Sequence, residues 1–298
     1  MTAPAIATPP RTQARAGRRG GLLTGLLLAP AGAWYLGLLV LPILIVVVYS
    51  FGTRGKDGGY SPAFTLDNYA IVFDRPQPFV TSLFLAVSGT ALCLLVAFPL
   101  AYFIASRAGK RKGLFIILLV IPFWTSFLIR TISWLVILGP RGVAGFLEGL
   151  SGADIQILGT PTAILIGIVY NYLPLMVFPL YVTLERLDRT LLEASKDLGA
   201  DRWATFRQIT LPIVWPGVIT GSILVFIPLM GEYVIPAILG NGKVFLIGNV
   251  LQLDFLSSRD WPAGSAKAVV LIAMMLVSVT FYVWITNRGR RGRDVSVL

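Results

Sequence analysis

The sequence has no histidine, one cysteine (Cys93) and few charges: 13% of its 298 residues are charged and only 14 are acidic. Zinc, haem and iron–sulfur centres take their ligands from His and Cys, so no metal or cofactor is expected to reside in this chain. A lone cysteine excludes a disulfide framework. No GxxxxGK[ST] run occurs, so the chain lacks the phosphate cradle of a P-loop, and any ATP requirement falls to another subunit. Low-complexity segments and clear internal repeats are also missing.

Apolar residues are abundant, at 56% of the chain. Charge-free runs cover 20–52, 76–106, 113–129, 155–184, 208–231 and 268–287. A helix crossing a roughly 30 Å hydrocarbon core needs about 20 residues. Five runs meet that length, and the third does so by continuing through Arg130. The expected fold is therefore all-α, a polytopic membrane protein with six transmembrane helices near 28–50, 80–105, 113–135, 161–183, 213–233 and 266–287. A soluble protein of this size would carry far more charge.

With the N-terminus inside, the internal segments hold 17 Lys and Arg and the external loops six. That bias predicts both termini in the cytoplasm. The net charge of +11 then reads as a topology signal with a second role in contacting anionic membrane lipid. Nucleic-acid binding is not implied. The first 21 residues look like a basic signal-peptide n-region, yet no small-residue cleavage site follows. The expected organisation is a retained, disordered cytoplasmic arm over 1–21, a membrane domain over 22–287 and a basic cytoplasmic tail over 288–298.

Proline is frequent inside the expected spans: Pro30, Pro42, Pro99, Pro122, Pro174, Pro179, Pro216 and Pro228. Each removes an intrahelical hydrogen bond and kinks its helix, which lipid tolerates only where neighbours take up the freed carbonyls. Such helices suit a moving path. The first external loop, 53–77, with Thr65, Asp67 and Asn68, suits a short lid.

Few polar residues interrupt the spans. Arg130 lies about 27 Å of helix beyond Lys112, which predicts an interfacial anchor beside Trp134 that snorkels outward, with gating or ion pairing as the other role. Lys267 likewise opens the last span at an interface. Tyr170, Asn171 and Tyr172 fall halfway along the fourth helix, so they either bridge helices or face a polar path. Glu232, followed by Tyr233, sits between Gly231 and Pro236, where the helix is expected to break. A membrane carboxylate is costly, so it either lines the route of a cationic solute or caps locally at the edge of the hydrocarbon.

Between the fourth and fifth spans lies a charged insert, 185–212. Thr190 and Glu193 have capping-box spacing, and Leu191, Leu192, Ala194, Ser195 and Leu198 give that helix a partly apolar face. Gly199 suits the residue beyond the helix end. Asp201 suits the cap of a second short helix carrying Trp203 and Phe206, and Pro212 suits the start of the fifth span. The result is a helix–turn–helix knob. Its aromatics either anchor a partner or pack on the chain's own membrane domain.

The spacing Glu193-Ala194-Ser195, three residues, Gly199, nine residues, Ile209-x-Leu211-Pro212 resembles the EAA motif of permease subunits of bacterial ABC importers, with Ser195 replacing a small alanine. IPFWTSFLIRTISW (121–134), VYNYLPLMVFPLY (169–181), LERLD (184–188), LVFIPLMGEYVIPAILG (224–240), IGNVLQ (247–252) and RDWPAGSA (259–266) look like the first-subunit type of spermidine/putrescine permease. The chain departs from that pattern in Ala237, where relatives often have a second acid, and in Lys267, where they have small residues.

The resemblance implies a type I ABC importer permease fold in the bacterial inner membrane, a non-catalytic chain that imports polyamines by alternating access. It implies as partners an ABC ATPase dimer that binds ATP and Mg, a second and different permease chain, an extracytoplasmic solute-binding protein and a small-molecule substrate. Glu193, Ala194, Ser195, Gly199, Trp203, Phe206, Leu211 and Pro212 would couple to the ATPase. Tyr170, Asn171, Tyr172, Glu232 and Tyr233 would line the path or gate. The rival readings are the same machine with another small organic solute, a stand-alone secondary transporter or channel, and a membrane scaffold.

Overall fold

The computed structural model describes residues 18–294. Much of the expected arm over 1–21, and the end of the tail over 288–298, lie outside the described residues. In chain order the elements are α1 (Arg18–Tyr35), α2 (Leu41–Ser50), a two-strand hairpin of β1 (Thr53–Arg54) and β2 (Tyr60–Ser61), and α3 (Asp67–Asp74). There follow α4 (Gln77–Ser106), α5 (Lys112–Val120), α6 (Phe127–Leu138), α7 (Val143–Ser151) and α8 (Pro161–Glu185). The chain finishes with α9 (Arg189–Asp197), α10 (Arg202–Thr205), α11 (Leu211–Met230), α12 (Val234–Leu239), α13 (Ile247–Gln252) and α14 (Trp261–Asp294).

Among the described residues, six helical stretches are long and apolar enough to cross a membrane: Leu27–Ser50, Gln77–Ser106, Phe127–Ser151, Pro161–Glu185, Arg202–Met230 and Trp261–Thr286. Five of them coincide with expected spans. The third differs. In place of one helix over 113–135, α5 ends in a 3₁₀ turn at Ile121–Trp124, and Thr125 and Ser126 are extended before α6 begins. Pro122 supplies no N–H to the ladder, so the run breaks there although its hydropathy is continuous.

Proline acts differently at Pro42 and Pro212. Before Pro42, the Leu41 N–H reaches back five residues to Leu36 O; before Pro212, Leu211 N–H reaches Phe206 O. These π turns widen the helix where the proline ring would crowd a carbonyl. Pro212 therefore does not start a helix: the helix runs unbroken from Arg202 to Met230.

The chain divides into two compact units, Met1–Val48 and Tyr49–Leu298. In the first, side chains 27–45 are all exposed. The second is built around α4, α8 and α11, which pack most extensively on one another. Leu85 and Ala97 of α4, Ile168 and Met176 of α8, and Val225 and Leu229 of α11 are buried between them. Lipid tails are as apolar as this core, so close packing of small residues holds the helices together in place of the hydrophobic effect. At Gly221 an added Cβ would lie 2.8 Å from Met176 Sδ, and at Gly89 2.9 Å from Ile168.

Two sets of contacts mark the ends of this bundle. Lys112 Nζ meets Glu185 Oε1 at 3.1 Å, beside the charged insert. At the other end Gly159 N–H donates to Leu239 O at 2.8 Å, and Ile247 N–H donates to Ser82 Oγ at 2.8 Å. The loop expected as a lid folds here as the β1–β2 hairpin and α3, with Tyr49 stacked on Tyr60 at 4.3 Å and Gly59 N–H bonded to Arg259 O.

Candidate coupling surface and membrane-depth site

The charged insert folds as two short helices joined by a tight turn. Asp188 caps α9: its carboxylate accepts from Thr190 N–H at 3.0 Å. The Thr190–Glu193 capping box expected from spacing does not form, because the aspartate two residues earlier offers a charged acceptor to the same helix end. The Thr190 N–H, then its hydroxyl, hold the Asp188 carboxyl below the usual aspartate range. At the far end Ala200 N–H donates to Ser195 O and Gly199 N–H to Lys196 O, the paired bonds of a Schellman motif, with Gly199 at φ +82°. Nothing lies near an added Cβ at Gly199, so conformation, not space, requires glycine there.

Asp201 caps α10, accepting from Ala204 N–H at 2.6 Å. The two helices are fastened by Ser195 Oγ and Thr205 Oγ1, 2.9 Å apart and buried. Thr205 Oγ1 donates to Asp201 O, and a hydroxyl has one proton, so Ser195 is the donor in that pair. The serine standing where the family motif has alanine thus closes the knob.

The coupling candidates sort into two groups. Glu193, Ala194 and Trp203 face outward. Trp203 is 65% exposed, and Leu198, which the sequence shows only as part of an apolar face, is 88% exposed. Phe206 turns inward: it stacks on Trp203 and meets Phe98 of α4 edge-on, both at 5.6 Å. Ser195 is internal. Leu211 and Pro212 are half-buried and line an apolar groove of about 1290 Å³ between α4, α11 and α14.

The second constellation lies at the other end of α11. The helix stops at Gly231, and Glu232 is 7% exposed. Its Oε2 accepts from the Tyr172 hydroxyl at 2.5 Å; its Oε1 accepts from Val234 N–H at 2.8 Å and Ile235 N–H at 3.2 Å, the first amides of α12. Tyr172 lies eleven residues inside α8 from Pro161, about 17 Å along the helix. The carboxylate therefore meets α8 near the middle of that helix. It also caps.

Broken backbone at that depth is tolerated when protein surrounds it. Asn249 Nδ2 donates to Tyr233 O at 2.9 Å, and Gly248 lies so close that an added Cβ would be 2.7 Å from the carbonyls of Gly231 and Glu232.

Asn171, 2% exposed, donates to Gly167 O at 3.0 Å and to Thr131 Oγ1 of α6 at 3.4 Å. It bridges helices. Tyr170 is 39% exposed and edge-on to Trp134 at 5.4 Å; Tyr233 is 43% exposed. Of the path candidates, then, Tyr172 and Glu232 are joined, Asn171 precedes Tyr172 on α8, and Tyr170 and Tyr233 are exposed.

Neither expected interfacial cation is free at a surface. Lys267 pairs with Asp254 at 2.5 Å, both largely buried. Arg130 is 8% exposed, its guanidinium 4.6 Å from the Phe123 ring centre. The helix break at Thr125–Ser126 removes the straight rod on which the outward position of Arg130 depended. Sequence reasoning also missed Thr131, Ser82 and Asn249, whose partners are 40, 165 and 16 residues away; no local pattern announces such bonds. Among the described residues no three His, Cys, Asp or Glu side chains converge as a metal site.

The chain is similar to known proteins. The chain is 40% identical over 260 residues to the spermidine/putrescine transport system permease protein PotB of Escherichia coli K12, covering 86% of this chain and 94% of that one. It is 38% identical over 255 residues to PotB of Haemophilus influenzae, covering 84% and 89%. The crystal structure of a bacterial ABC transporter involved in import of the acidic polysaccharide alginate superposes with a TM-score of 0.67 at 19% identity, covering 91% of this chain and 96% of that one, and so shares the fold. Residues 22–291 match the family described as binding-protein-dependent transport system inner membrane component. With six apolar helices, a type I permease fold and that match, the chain is a multi-pass inner-membrane protein and belongs to this family of ABC importer permeases.

Proposed function

We propose that this permease imports spermidine and putrescine by alternating access, driven by a pair of ABC ATPases that bind ATP and Mg and seat the 185–212 knob in a cleft. The observation that carries the reading is the unbroken helix from Arg202 to Met230. It joins the exposed surface of Leu198 and Trp203 to the break at Gly231 and Glu232. A displacement of the knob is therefore delivered to the Glu232 carboxylate. The chain itself carries out no bond chemistry. A second, different permease completes the path, and an extracytoplasmic binding protein delivers solute. Both termini face the cytoplasm, a reading supported by the excess of Lys and Arg on that side.

Glu232 suits a cationic solute in a specific way. A carboxylate has about four lone-pair sites, and three donors engage this one, so one ammonium can bind without dismantling the cap. Tyr170 and Tyr233, partly exposed, suit a route for an alkyl-ammonium chain through cation–π contact. Lys267, whose charge is matched by Asp254, does not oppose a cation. The test is ATP-driven uptake of labelled spermidine and putrescine by proteoliposomes of the full complex with its binding protein. Uptake of both supports the reading. A complex that hydrolyses ATP in response to another organic solute and ignores polyamines contradicts it.

A further inference from the structure

With both termini inside, topology depletes positive charge from the outer loops, and these hold only six Lys and Arg. Three of the six, Arg54, Lys56 and Arg259, gather at one seam at the end of the bundle away from the knob, and all three are exposed. The β1–β2 hairpin and the 253–260 loop are stitched together there. Arg54 Nη2 donates to Ser258 O at 2.6 Å, and Gly59 N–H donates to Arg259 O at 2.6 Å. Gly58 lies so close that an added Cβ would be 2.8 Å from Arg259 Cβ. Arg259 itself stands at φ +51°, a conformation that is costly for any residue with a side chain and persists where the surroundings over-determine it. Leu256 of the same loop is 71% exposed. Against these cations the hairpin turn sets one acid, Asp57.

A short bonded route joins this seam to the break at Glu232. Ser258 N–H donates to Leu253 O at 2.8 Å and Asp260 N–H to Asp254 O at 2.9 Å, while the Asp254 carboxylate pairs with Lys267 of α14. The loop is thereby fixed to the turn that continues α13. That helix in turn abuts the break: Asn249 Nδ2 holds Tyr233 O, and Gly248 has no room for a Cβ beside the Glu232 carbonyl. A solute made of ammonium groups gains nothing from a cationic seam, so the seam is not its route. Exposed cations around a protruding leucine instead match an acidic protein face with an apolar recess.

We propose that the solute-binding protein docks on the seam of Arg54, Lys56, Leu256 and Arg259 through carboxylates on its own surface, and that docking shifts α13 against the Glu232 break. This rests on the reading of the chain as an importer fed by a binding protein, and deepens it by giving that partner a surface, a charge and a line of contact to the membrane site. The family to which the chain belongs depends on a binding protein. Anionic lipid headgroups, the other acidic surface within reach, are always present and carry no signal that solute has arrived.

The test is binding of the spermidine-loaded binding protein to the assembled importer, both permeases and both ATPases, in nanodiscs made with and without anionic lipid. Lys56→Glu with Arg259→Glu should weaken that complex at least about tenfold in both lipids and remove most of its salt dependence. Hydrolysis stimulated by the binding protein should fall at sub-saturating concentrations, while basal hydrolysis stays unchanged. The milder pair Lys56→Gln with Arg259→Gln should weaken binding by a smaller factor, and reversing a facing carboxylate of the binding protein to lysine should restore binding to the glutamate variant. A deficit confined to anionic lipid would assign the seam to the membrane and overturn the proposal. Asn249→Ala should leave binding intact and reduce the stimulation; undiminished stimulation would refute the line through α13. If the unaltered importer neither binds the loaded protein nor responds to it, the importer reading fails together with the seam. If it binds and responds, and the glutamate variant does so equally, the seam alone fails.

Discussion

The knob and the break at Glu232 stand at opposite ends of one helix and are stabilised in opposite ways. In the knob nearly every bond is local: Asp188 to Thr190, Asp201 to Ala204, Ala200 to Ser195. Its large apolar side chains Leu198 and Trp203 are left exposed. At the break, Tyr172 reaches Glu232 from 60 residues away and Asn249 reaches Tyr233 from 16. There the polar groups are enclosed. A surface that must meet a partner can be finished locally and keep its anchors outside, whereas a discontinuity in lipid must find every partner inside the protein.

The largest effect expected from breaking this contrast is at Glu232. Glu232→Leu strands the Tyr172 hydroxyl and two amides in a dry interior, which should cost about 3 kcal/mol or more in the thermal unfolding of the purified complex. Glu232→Gln keeps one oxygen acceptor and should cost about 1 kcal/mol. Equal melting of all three proteins would mean that the cap is not structural.

A smaller and different loss is expected at the knob. Trp203→Ala or Leu198→Ala removes an exposed anchor, so affinity for the ATPase should fall about thirtyfold, roughly 2 kcal/mol. Melting of the permease without its ATPase should change by less than about 0.5 kcal/mol. If instead the variants melted early and bound the ATPase normally, these side chains would belong to the chain's own packing.

The smallest change isolates the turn. Gly199→Ala keeps both N–H donors of the turn but forces a Cβ into φ +82°, costing about 1–2 kcal/mol. Hydrogen exchange at the Gly199-equivalent and Ala200 amides should quicken, with no effect on the Glu232 region.

The same contrast explains what could be read from sequence. Caps and turns act within four residues, so the roles of Gly199 and Asp201 are legible. The error at Thr190 arose because two acceptors, Asp188 and Thr190, compete for one helix end. Span positions follow from hydropathy, which reports burial in lipid but not backbone continuity; hence the broken third crossing and the continuous helix through Pro212. The outward placement of Arg130 followed from treating its segment as a separate straight rod, and for the same reason the sequence left Glu232 open between a path and the edge of the hydrocarbon. Their depth is set by α8, through Thr131–Asn171 and Glu232–Tyr172. Such pairing between distant segments leaves no periodic trace in a single sequence.

The central claim is that rigidity between Arg202 and Met230 couples the two regions. The direct measurement is spermidine uptake and ATP hydrolysis in proteoliposomes carrying Arg207→Gly with Gln208→Gly, two exposed positions within the π turn. The substitutions soften the helix by about 2 kcal/mol and touch neither Trp203 nor Glu232. The account predicts normal ATPase binding and continued hydrolysis with uptake reduced at least about tenfold. Uptake at the unaltered rate would show that the force reaches the membrane site by another route.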